Sequence, residues 1–192
     1  MESYLNLLPL IIIFAACMAL FVFPTWRRAL IGLGVLFLMA FVFYLQVWPF
    51  TMSAVKLITG WMVVVTLFFS PIQEDFPEPG ISGHQVFKFV ALVFIWVVAF
   101  LITSKVNQYF QIKPEILFAA IAIFGTGLLQ LGLTTKPFYI LTGILLVFAG
   151  FEVLYASIET SILINGLLAL MNLLVALVGS YLLSLKNEEA QL

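Results

Sequence analysis

Charge is missing from long stretches of this chain, and that distribution constrains its folding more than any other feature. Eight basic and nine acidic residues are spread over 192 positions, leaving charge-free runs at 3–26, 29–55, 57–73, 89–104, 116–135, 137–151 and 160–185. A hydrocarbon layer about 30 Å thick is crossed by roughly 20 apolar residues at 1.5 Å rise each. In lipid every backbone polar group must be satisfied within its own segment, so runs of this length read as helices; a barrel would alternate in polarity instead. With 64% apolar and 9% charged residues, against about 25% charged in soluble domains, the chain reads as an all-α polytopic transmembrane bundle. It is expected to form a single transmembrane domain over 1–192. Spans are predicted near 4–23, 29–47, 52–70, 86–104, 115–133, 138–156 and 161–184, seven in all with six as the fallback.

The same arithmetic excludes function classes. A net charge of −1 with scattered cations offers no phosphate-tracking groove, so nucleic acid is not an expected partner. Cys17 is the single cysteine and His84 the single histidine, which rules out CxxC pairs, HExxH zinc sites and bis-His haem ligation within the chain. No cofactor or metal is expected, and without a Ser/His/Asp set or a Gly-rich phosphate loop no enzyme is. The N-terminus carries Glu2 instead of a positive region, and its apolar run exceeds the hydrophobic region of a cleavable signal, so the first helix is expected to be retained.

Punctuation places the connections. Pro24, Arg27 and Arg28 mark the first and Trp48 with Pro49 the second, making Trp26, Arg27, Arg28 and Trp48 candidate interface anchors at the two ends of helix 2. Residues 71–84 (PIQEDFPEPGISGH) read as a polar loop whose Glu74, Asp75 and Glu78 lack the spacing of a calcium site. Pro114 is predicted to start helix 5, and 185–192 is read as a short tail. Between helices 6 and 7 (YASIETS) no Gly or Pro intervenes, so Ser157 is predicted as the N-cap of helix 7 with Glu159 in its first turn. Short-loop counts give Arg27, Arg28, Lys88, Lys136 and Lys186 on one side and Lys56, Lys105 and Lys113 on the other. By the positive-inside rule the N-terminus is expected outside and the C-terminus inside.

Chemistry narrows to few positions. Glu152 interrupts an apolar helix, where a charge costs roughly 2.5–3.5 kcal/mol near the centre. It is a candidate ion or proton site, or a near-interface carboxylate paired with a lysine. Lys56, near the start of helix 3, reads as a snorkelling side chain, with pairing to Glu152 as the alternative. Asn165, Asn172 and Gly179 recur every seven residues on helix 7, as do Gly143, Gly150 and Ser157 on helix 6, and Gly125 with Gly132 on helix 5. These stripes suit close helix packing with amides bonded across the contact. Thr126 and Gln130 stand on another face of helix 5, which is therefore expected to pack on both sides.

Residues Trp48 to Met62 (WPFTMSAVKLITGWM), with Thr25 to Arg28 (TWRR) before them, resemble uncharacterised polytopic membrane proteins of filamentous phototrophic bacteria and their relatives, a resemblance that implies no activity. The N-terminal helix, Arg pair and second helix, together with the acid on helix 6, are similar to small membrane subunits of respiratory complex I and of Mrp-type antiporters. That resemblance implies proton translocation at Glu152, although helix 2 carries no acid after Arg28. The combined expectation is a non-catalytic integral membrane subunit of a larger complex, of an energy-converting or ion-translocating kind, acting mainly through helix packing. Membrane lipids and other membrane subunits would be its partners. The alternative is a self-contained small ion or solute transporter using Glu152.

Overall fold

A computed structural model describes residues 2–22, 25–70, 83–109 and 112–189, with side chains over 8–22, 25–70, 85–109 and 112–185. Seven helices follow in chain order: α1 Glu2–Phe21, α2 Trp26–Tyr44, α3 Phe50–Phe68, α4 Gly83–Val106, α5 Pro114–Leu133, α6 Pro137–Ile158 and α7 Ile162–Glu189. Six of them, α2 to α7, are long and apolar enough to cross a bilayer, while the apolar stretch described in α1 is the shorter Leu8–Phe21. No strand occurs among the described residues. The chain is an all-α, multi-pass integral membrane protein. The loop placed at 71–84, with its three carboxylates, lies outside the described residues except where Gly83 and His84 open α4.

Helix contacts divide the bundle into two groups. Helices α1, α4 and α5 each touch the other two, and α2, α3, α7 and α6 form a closed ring in which each touches its neighbours. Contacts of α1 with α2 and of α5 with α6 join the groups. Helices α5 and α6 are the most buried, and α4 and α7 present most of their surface outward.

Proline and glycine explain much of this. Pro114 and Pro137 occupy first-turn positions of α5 and α6, where a missing N–H costs nothing and φ is already helical. Between α5 and α6 one antiparallel register runs through Gly150 against Phe124, Gly127 against Val147 and Gly143 against Leu131. A Cβ on Gly150 would stand 2.4 Å from the Phe124 amide nitrogen, and one on Gly127 would stand 2.6 Å from that of Val147. Backbone therefore meets backbone, which is how transmembrane helices gain dispersion contact when lipid supplies no hydrophobic drive between them.

The connection between α6 and α7 differs from the sequence expectation. Ser157 is still helical, its Oγ donating to the Val153 carbonyl at 3.0 Å, and the chain breaks at Glu159, which is extended at φ −135°, ψ 139°. Glu159 thus caps α6 at its C-terminal end instead of entering the first turn of α7, which opens at Ile162. A serine bonded back to its own helix cannot also cap the next one. The tail is shorter than read, because α7 continues through Glu189.

Candidate functional site

The ring of α2, α3, α7 and α6 closes around polar side chains, one from each helix. Lys56 on α3 and Glu152 on α6 stand 96 positions apart in the chain, yet each lies six residues from the same end of the bundle, about 9 Å along the helix axis. Helix α3 starts where α6 stops, so the antiparallel topology brings them level. Lys56 Nζ lies 2.9 Å from Glu152 Oε1, with both side chains less than 5% exposed. Asn172 on α7 donates its Nδ2 to the same oxygen at 2.9 Å. The hydroxyl of Tyr44, the last residue of α2, is a further hydrogen-bonding group on the carboxylate. Because α3 and α6 sit across the ring from one another, the lysine stem spans the space between the helices and places its ammonium on the far carboxylate.

Lys56 is therefore an ion-pair partner, and the snorkelling expectation is corrected. The reason is register: Lys56 shares the inward face of α3 with Ser53, Gly60, Val63 and Leu67, all buried. The pair is not fully satisfied. The approach of Nζ to Oε1 is off hydrogen-bond angles, and among the described residues Nζ and Asn172 Oδ1 have no hydrogen-bond partner.

Trp48 roofs this cluster. It was expected at the headgroup level, but it is 5% exposed and its ring stacks on Tyr44 at 5.4 Å and 12°. The turn after α2 bends the chain back, with the Trp48 amide donating to the Tyr44 carbonyl at 2.7 Å, and this carries the indole inward. Trp26 is half-buried, 6.1 Å from the Phe68 ring, with the Arg27 guanidinium 5.4 Å from its own centroid; Arg27 and Arg28 are exposed.

The other stripe residues scatter over different contacts. Gly143 and Gly150 face α5, Gly125 faces Ile95 of α4, and Gly179 meets Leu141 of α6. Asn165 is buried, with its Oδ1 unpartnered among the described residues, whereas Asn172 reaches Glu152. Gly132 is a correction: among the described residues no atom of a neighbouring helix lies within 4 Å of where its Cβ would be, so that position meets no partner helix. Ser157 is partly exposed and bonds within its own helix. Helix α5 does pack on two sides. Gln130 donates to Thr142 Oγ1 and the Tyr139 carbonyl of α6, both at 2.7 Å, and Thr126 accepts from Trp96 Nε1 of α4 at 3.3 Å.

Tyr44, Thr142 as the partner of Gln130, and the contact glycines Gly32, Gly60 and Gly127 were missed by sequence reasoning. A tyrosine ending an apolar helix carries no signal of an inward partner, and these glycines share no seven-residue spacing. Among the described residues no group of three or more His, Cys, Asp or Glu side chains gathers. No protein-family model, curated protein or solved structure matches the chain.

Proposed function

We propose that this chain is a non-catalytic integral membrane subunit of a larger assembly of an energy-converting or ion-translocating kind, serving chiefly as a packed helical element. The observation that carries the reading is the Lys56–Glu152 pair with Asn172 and Tyr44. The intramembrane carboxylate is engaged by groups from three other helices of its own chain, which makes it a clamp on the arrangement of α2, α3, α6 and α7. Buried polar groups of this kind fix register at some cost in stability. The Gly127, Gly143 and Gly150 contacts serve the same end.

The proposed orientation has the N-terminus outside and the C-terminus inside a bacterial cytoplasmic membrane. Lys56 belongs to the interior, so it drops out of the loop count. Five cations (Arg27, Arg28, Lys88, Lys136, Lys186) then face two (Lys105, Lys113), in the sense of the positive-inside rule.

A second reading, a small transporter working through Glu152, draws support from the unused hydrogen-bonding capacity of Lys56 Nζ and Asn172 Oδ1 beside it. Two measurements separate the readings. Purification in mild detergent should bring down other membrane proteins in fixed ratio, and the purified chain in liposomes should pass no ions. Isolation as a lone species with ion flux that Glu152→Gln abolishes would reject the subunit reading and establish the transporter.

A further inference from the structure

On its bilayer side, the pair of helices α2 and α3 encloses a groove of about 450 Å³, within the ~300–1,000 Å³ range of pockets that take small ligands. Arg27, Ile31, Gly34 and Leu38 follow one another along one wall, while Trp61 and Phe68 stand on the other. Ile31, Trp61 and Phe68 are exposed, so the groove opens sideways. Its floor is deep for a specific reason: among the described residues nothing lies within 4 Å of where a Cβ on Gly34 would stand. The two helices nevertheless close tightly beside it, where a Cβ on Gly60 would come 2.6 Å from the Phe37 ring.

Length and charge identify the occupant. From Arg27 to Leu38 the groove follows eleven residues, about 16 Å at 1.5 Å each, which matches half of a hydrocarbon core about 30 Å thick. One end carries the cation and the remainder of the lining is apolar. The Arg27 guanidinium lies over the Trp26 ring, 5.4 Å from its centroid, and a planar guanidinium held by its face keeps its N–H edges for a phosphate. Among the described residues Arg27 makes no ion pair. The geometry points to a built lipid site: an anionic phospholipid whose phosphate rests on Arg27 and whose acyl chain lies along the α2–α3 groove through one leaflet. The site is separate from the Glu152 cluster and stands whichever reading of that cluster holds.

The test uses the full chain in mild detergent, incubated with equal amounts of phosphatidylglycerol and phosphatidylcholine of matched chains and examined by native mass spectrometry. The phosphatidylglycerol adduct should exceed the other about fivefold, the factor expected for one cation near a headgroup. Arg27→Gln should bring the ratio close to one. Gly34→Phe should reduce both adducts, with Gly34→Leu as a smaller plug should the first fail to fold; protection of Cys17 from thiol reagents reports folding. An unchanged ratio in Arg27→Gln, or unchanged adducts in a folded Gly34 variant, would overturn the assignment. So would loss of a co-purifying protein in the Gly34 variants with lipid adducts intact, which would give the groove to a partner helix.

Discussion

Removing one partner of the Lys56–Glu152 pair should cost far more than removing both charges. At 2.9 Å and an effective dielectric constant of ~20, the attraction is about 6 kcal/mol. Taking each ion out of water costs several kcal/mol, so the pair nearly breaks even against neutral side chains of similar size, whereas orphaning one buried charge costs about 3–5 kcal/mol. Lys56→Met leaves the carboxylate with only Asn172 and Tyr44, and Glu152→Gln leaves a buried ammonium with no counter-charge among the described residues. Each single change should lower the melting temperature by about 6–20 °C, taking 2–4 °C per kcal/mol for a chain of this size. The double change keeps an acceptor for Asn172 Nδ2 and should recover most of that loss, giving a coupling energy of about 5–9 kcal/mol. Cys17 supplies the assay. It is the single cysteine, fully buried on α1, so a thiol-reactive fluorogenic dye reports unfolding in detergent without further engineering. Losses that simply add in the double variant would refute the ion-pair account.

Gly150→Ala and Gly127→Ala each push a methyl into backbone nitrogen at 2.4 and 2.6 Å and should destabilise by about 1–3 kcal/mol, while Gly132→Ala, with open space around it, should cost nothing in the same dye assay. Gln130→Glu replaces an amide that donates two bonds at 2.7 Å with a group that accepts; it should destabilise more than Gln130→Met does, and equal melting temperatures would remove Gln130 from the α5–α6 contact. In a Cys17→Ala background, single cysteines at the exposed Thr160 and Thr135 should react with an impermeant maleimide from opposite sides of the membrane, Thr160 from outside; labelling from the same side would contradict the topology.

Much of the architecture was legible because it is local. A charge-free run long enough to cross lipid must be helical wherever it lies in the chain, and Pro114 opening α5 needs no tertiary partner. The break after α6 was legible as a necessity of length, but not its position, since Ser157 can cap the next helix or bond back to Val153 with equal local sense. Glu152 stood out by its cost in lipid, yet its neighbours were not written near it.

The one-dimensional order of charge and hydropathy thus determined that this chain spans a membrane as helices and that Glu152 lies within one of them. Tertiary structure alone decided that Lys56 turns inward, that Trp48 roofs Tyr44, and that Gly127 meets Val147 while Gly132 meets no neighbouring helix among the described residues. The physical reason is that crossing lipid is a property of each segment by itself, whereas an ion pair between residues 96 apart depends on which helices are neighbours, in what register and at what depth.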